Sequence, residues 1–204
     1  MFTETEIIEE VRKLQYFYGL KHEIRYGESR TDMGESVAEH IYGMHVLAAY
    51  FLPLEDKERN WSKERIYAMI TWHDMDELET GDMIGYKKTE ADRAREVTAM
   101  DTVLENTPKH MREEVATIVA EYQKQDTSEA RFVKALDKIE PLFQLYNENG
   151  KRIHERNGTT QDDSRRIKDA YVAEFAHLCA FNDVLNNAME REGFFAPSRD
   201  TIET

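Results

Sequence analysis

The chain has 204 residues, 40% of them hydrophobic and 33% charged, enough to bury one good core, and nothing in its length forces a second domain. Its 41 acidic against 27 basic side chains give a formal charge of −14, which argues against general affinity for nucleic-acid polymers or anionic membranes and leaves room for a small anionic substrate at a locally positive site. The single cysteine, Cys179, excludes an intramolecular disulfide and a cysteine-based structural zinc site. The acidic opening MFTETEIIEEVRKLQ is unlike a signal peptide, and no apolar run approaches the roughly 20 residues of a membrane span, so a cytoplasmic protein is expected.

Apolar spacing is helical almost throughout, and an all-α fold is expected: one domain over residues 1–204, with a core over about 5–145. The first helix opens at Thr3, with Glu6 completing a capping box, and carries Ile7, Val11, Leu14 and Tyr18 on one face. Ser36 and Glu39 make a second box before the stripe Val37, Ile41, Met44, Ala48, Phe51, which should close before Pro53. Ser62 caps a third helix whose buried line Ile66, Ile70, His73, Glu77 turns from aliphatic to ionisable. Beyond the irregular GDMIGYKKTE, a helix should turn Ala94, Val97 and Leu104 inward, and another, opened by Thr107 and Pro108, buries Met111, Val115, Ile118 and Tyr122. Asp126 and Glu129 should cap a helix with Phe132, Leu136 and Ile139 inside, kinked or ended by Pro141. Residues 147–164 read as a polar loop, a mobile excursion or lid. One long C-terminal helix follows over about 163–192, with Ile167, Tyr171, Leu178, Phe181 and Leu185 inward.

Ionisable groups on apolar stripes are costly unless paired or bound to a cation. His40, His73, Asp74 and Asp137 hold such positions, and two imidazoles with two carboxylates suit one divalent cation of intermediate hardness: Mn²⁺, Co²⁺, Fe²⁺ or Zn²⁺. Taken alone, His40 reads more simply as a satisfied helix histidine and Asp137 as an ordinary helix acid. Asp76, three residues after His73, competes with Glu77 for a place near the pair, and Lys87-Lys88 read as solvated loop lysines.

In ESVAEH, HDMDELETGD and EARFVKALDK the chain resembles the HD-domain metal-dependent phosphohydrolases, whose pattern is one His, an adjacent His-Asp pair and a distant Asp on separate helices. The longer strings are most similar to the bacterial 5′-deoxyribonucleotidase branch and its eukaryotic HD-domain relatives, over roughly residues 10–145. The resemblance implies a helical bundle in which His40, His73, Asp74 and Asp137 hold one divalent cation, Mg²⁺ being a further candidate. It implies Glu77 and Asp82 as catalytic residues, and Arg25, Tyr26 and Lys134 as contacts to a nucleotide substrate. The relatives carry Trp where this chain has Tyr26, which bears on sugar or base preference. The implied reaction is removal of phosphate from (deoxy)nucleoside 5′-monophosphates by metal-activated water, with Glu77 moving a proton and a homodimer expected from the resemblance alone. The rivals are a hydrolase of nucleoside triphosphates, cyclic nucleotides or alarmones on the same fold, and a non-catalytic nucleotide- or metal-binding module. His110 has no matching ligand context and reads as a non-ligand, although two-metal members of the family recruit extra histidines from intervening helices.

Overall fold

The computed structural model describes residues 3–29, 34–83 and 89–197; Lys87 and Lys88 lie outside the described residues. The helices are α1 (Glu4–Phe17), α2 (Val37–Glu55), α3 (Lys63–Trp72), α4 (Glu77–Thr80), α5 (Glu90–Asn106), α6 (Lys109–Lys124), α7 (Ser128–Gln144), α8 (Glu148–Asn157), α9 (Gln161–Arg166), α10 (Asp169–Val172) and α11 (Ala176–Arg191). No strand occurs among the described residues, and none of their helices is long and apolar enough to cross a membrane. The chain divides into two compact units, Met1–Tyr42 with Ala68–Lys124, and Gly43–Tyr67 with Gln125–Thr204.

The first unit is built around Leu20, Val37, Met75, Met100, Val103, Val115 and Val119, with Phe17, Trp72, Leu78 and Met111 packed against them. The expected capping boxes form: Thr3 with Glu6, and Ser36 with Glu39, whose carboxylate accepts the Ser36 N–H at 2.7 Å. The stripe of α1 differs from expectation, because Ile7, Val11, Leu14 and Tyr18 are exposed and α1 is anchored from its C-terminal end through Tyr16 and Phe17. Periodicity marks a face and does not say what covers it. In α5 Ala99, Met100 and Val103 are buried and Leu104 packs against the same core as expected, while Ala94 and Val97 face solvent.

The second unit packs on aromatic rings, with Phe51 against Phe181 at 5.0 Å and Phe132 between Trp61 and Phe175. Neither internal proline ends its helix where expected: α2 continues through Pro53 to Glu55 and α7 through Pro141 to Gln144. Thr127, rather than Asp126, caps α7, and Glu129 accepts the Ser62 N–H at 2.9 Å. The expected loop at 147–164 is largely helical. Asn147 caps α8, Gly158 ends it at φ +65°, and Ile153 and His154 are buried, so its turn-forming residues are the two ends of a helix. The expected long helix over 163–192 is broken into α9, α10 and α11, whose last segment is capped from within the unit by the Glu55 carboxylate on the His177 and Leu178 N–H groups.

Candidate metal centre and nucleotide site

His40 lies in the first turn of α2, where its N–H bonds the Ser36 carbonyl, and its side chain is fully buried. His73 and Asp74 follow directly on α3, in the turn that connects it to α4. The ligand atoms of His40, His73 and Asp74 lie within 4.8 Å of one another. Asp74 Oδ2 is 3.0 Å from His73 Nε2 and 3.7 Å from His40 Nε2.

The tautomer of His73 makes this contact informative. Its Nδ1 is 3.0 Å from the Ile70 carbonyl, which can only accept, so Nδ1 carries the proton. In neutral imidazole Nε2 then presents a lone pair to the Asp74 carboxylate. Two lone pairs at that distance repel unless a cation lies between them. The buried His73 Nε2 makes no hydrogen bond, and the Tyr122 ring packs edge-on against the imidazole at 5.3 Å, which holds its plane. The donor set therefore fits a divalent cation.

Glu77 begins α4, one turn beyond Asp74, with its N–H bonded to the Asp74 carbonyl at 3.2 Å. Its side chain is buried and its Oε2 has no hydrogen-bond partner. Burial, then the neighbouring Asp74 and Asp82 charges, push its carboxyl well above the ordinary range; Arg25 opposes them and Asp76 adds to them. Gly81, at φ +71°, ends α4 and turns the chain so that Asp82 faces the segment of Arg25 and Tyr26.

That segment is held tightly. The Arg25 N–H bonds the Glu35 carbonyl at 2.8 Å, beside an isolated bridge between Ile24 and Ser36. The buried Arg25 guanidinium donates from Nη1 to Glu35 Oε2 at 2.9 Å, and its Nε is 3.6 Å from Asp82 Oδ1. Tyr26 adopts φ 63°, ψ 15°, an uncommon conformation for a residue with a side chain. Its N–H donates to Asp82 Oδ2 at 2.9 Å, its hydroxyl to Glu35 Oε2 at 3.3 Å, and its ring stacks on the Arg25 guanidinium at 4.9 Å.

In the second unit Asp137 is buried on α7, and its Oδ2 receives both Lys134 Nζ at 3.1 Å and Lys138 Nζ at 3.0 Å. The first unit thus brings together His40, His73, Asp74 and Glu77, and ties Arg25 and Tyr26 to Asp82; the second pairs Lys134 with Asp137. Glu35 and Lys138 were not singled out from sequence. The signal for Glu35 was its place in GESVAEH, an acid just before a cap; that for Lys138 was adjacency to Asp137. Of the residues set aside, Glu79 accepts the Tyr16 hydroxyl at 2.7 Å and so joins α4 to α1, and His110 is exposed on α6.

The HD domain family matches residues 18–178. The chain is 34% identical over 138 residues to 5′-deoxynucleotidase HDDC2 of Xenopus laevis, covering 65% of this chain and 64% of that protein. It is 34% identical over 146 residues to the Homo sapiens protein of the same name, covering 70% and 66%. The matched region is thus slightly under two thirds of the length of either curated relative. A crystal structure described as a predicted metal-dependent phosphohydrolase, from Magnetospirillum magnetotacticum, superposes with a TM-score of 0.78 over 95% of this chain and 100% of that one, at 22% identity. An HD-domain phosphohydrolase from Listeria innocua gives 0.64 over 90% and 91%, at 19% identity, so both show the fold. With the family model spanning residues 18–178, most of the sequence, the chain belongs to the HD-domain family.

Proposed function

We propose that this chain is a metal-dependent phosphohydrolase that releases orthophosphate from (deoxy)nucleoside 5′-monophosphates. The observation that carries the reading is the convergence of the His40, His73 and Asp74 ligand atoms within 4.8 Å, with Asp74 Oδ2 3.0 Å from a buried His73 Nε2 that makes no hydrogen bond. The similarity to proteins named 5′-deoxynucleotidase supports the choice of substrate. On the family pattern we assign His40, His73, Asp74 and Asp137 as the ligands of one divalent cation, drawn from Mn²⁺, Co²⁺, Fe²⁺, Zn²⁺ or Mg²⁺. When bound, it supplies Lewis acidity towards phosphate oxygen and water.

The rest of the chemistry belongs to side chains. Glu77 holds a proton at a buried carboxyl one turn from Asp74, which suits transfer between the attacking water and the leaving 5′-oxygen. Once it has given its proton to the leaving 5′-oxygen, the Glu77 carboxylate can take one from the attacking water. Arg25 carries one positive charge between two acids, Glu35 and Asp82, so this cluster is net negative and suits orienting the sugar end of a nucleotide more than neutralising its phosphate. Lys134, with Lys138 beside it, supplies positive charge at Asp137 and is assigned to the phosphate. Tyr26 presents a ring where the relatives of the bacterial branch present Trp, and Asp82 anchors it. A homodimer and a cytoplasmic home complete the reading, the first on the family resemblance and the second on Cys179 as sole cysteine.

The test is orthophosphate release from deoxy- and ribonucleoside monophosphates in Mn²⁺, Co²⁺, Mg²⁺ and Zn²⁺, with Asp74→Ala as control. Turnover of monophosphates that disappears in Asp74→Ala is expected. Release of pyrophosphate or tripolyphosphate from triphosphates in its place, or binding of nucleotides that stay intact, would overturn the proposal.

A further inference from the structure

Glu35 is a buried carboxylate close to a site meant for an anion, an arrangement that costs desolvation and needs a reason. One of its oxygens bridges two groups: Oε2 accepts from Arg25 Nη1 at 2.9 Å and from the Tyr26 hydroxyl at 3.3 Å. Those groups already stack on one another at 4.9 Å, so the shared acceptor sets the angle between guanidinium and ring. The backbone of Glu35 holds the same segment through its carbonyl and the Arg25 N–H. Two apolar residues of similar volume would give equal or better stability, and the ion pair adds direction that they cannot.

We propose that Glu35 is a positioning residue for the nucleotide site, fixing Arg25 and Tyr26 in the orientation that receives substrate; this rests on the function proposed above. Glu35 does not touch the reacting atoms. One of its oxygens also lies within 4.8 Å of a His40 ring nitrogen, so the competing role is support of a metal ligand, and the test must separate the two.

The test uses Mn²⁺-loaded wild type, Glu35→Gln, Tyr26→Phe and the double variant. It measures KM and kcat for deoxyadenosine 5′-monophosphate, the Kd of that nucleotide by equilibrium titration, and Mn²⁺ affinity. Glu35→Gln should raise KM and Kd about tenfold, as loss of a charge-assisted hydrogen bond would, with kcat and Mn²⁺ affinity at wild-type values. Tyr26→Phe should raise both less, and the double variant should match Glu35→Gln, because both changes remove one bridge. Lost Mn²⁺ affinity with unchanged nucleotide Kd, or additive effects in the double variant, overturns the proposal. Should Glu35→Gln fail to fold, a Tyr26→Phe Kd equal to wild type overturns it alone. Wild type that binds the nucleotide without turning it over defeats the function proposed above and leaves the Kd series to decide Glu35. Wild type that neither binds nor hydrolyses it defeats both.

Discussion

Asp82 sits just past a short helix and its carboxylate spans two contacts, the Tyr26 N–H at 2.9 Å and Arg25 Nε at 3.6 Å. Tyr26 is held at φ 63°, and the left-handed conformation costs a residue with a Cβ about 1–2 kcal/mol. A hydrogen bond to a charged acceptor contributes about 1.5–3 kcal/mol, enough to outweigh that strain, while a neutral one contributes about 1 kcal/mol and only matches it. Asp82→Ala should therefore release Tyr26 into ordinary backbone space. Uncompensated strain of about 1–2 kcal/mol leaves the binding-competent loop populated at roughly 3–16%, so KM for a nucleoside monophosphate should rise about 6- to 30-fold. Substrate selects the same loop at saturation, so kcat should change little. Asp82→Asn, keeping an acceptor without its charge, should fall between. Steady-state kinetics on deoxyadenosine and 2′,3′-dideoxyadenosine 5′-monophosphates decide the cause. An effect shared by both substrates follows from the loop. A KM increase confined to the substrate with a 3′-hydroxyl would refute the reasoning and make Asp82 a direct sugar contact.

Glu77→Gln should lower kcat about 10²- to 10⁴-fold with the cation still bound, as removal of a proton carrier does, and full turnover in that variant would dismiss the role. In metal-free protein the raised carboxyl of Glu77 contributes stability that is present in acid and lost as pH climbs above the ordinary carboxylate range. Thermal melts should therefore show Glu77→Gln gaining on wild type towards pH 8 and the gain shrinking in acid; parallel curves would contradict this. His154 titrates in the opposite sense: burial, then Lys168, push it from 6.5 down to about 4, against a hydrogen bond with the Phe194 backbone. Its contribution is full above the unfolded value and is lost as pH falls through the folded one, a total of about 3 kcal/mol. Urea melts at pH 7 and pH 4 should show His154→Gln losing that much less than wild type, and identical losses would count against a buried neutral imidazole.

Much of the candidate site was legible because its residues violate their own helices' patterns. His40, His73 and Asp137 fall on or beside apolar stripes, and all three side chains are buried. Glu77 could be separated from Asp76 only by resemblance, and burial then made the distinction physical: Glu77 is enclosed while Asp76 is half-exposed. Glu35 escaped notice because an acid before a helix cap is ordinary, and only its distances to Arg25 and Tyr26 make it otherwise. The misread segments share a different cause. Asn147 and Gly158 are strong turn signals, and at the two ends of ten polar residues they specify a helix as readily as a loop.

The helical class, the capping boxes at Thr3 and Ser36, the His-Asp pair and the family were all readable from the residues alone, because these depend on local spacing and on motifs short enough to read along the chain. What the fold adds is that the stripe of α1 stays in solvent, that the helix expected over 163–192 breaks into three, and that one oxygen of Glu35 holds both Arg25 and Tyr26. Those outcomes depend on what each side chain meets from elsewhere in the chain. The strained backbone of Tyr26 is held by a carboxylate 56 residues away, a partner that the spacing around Tyr26 does not show.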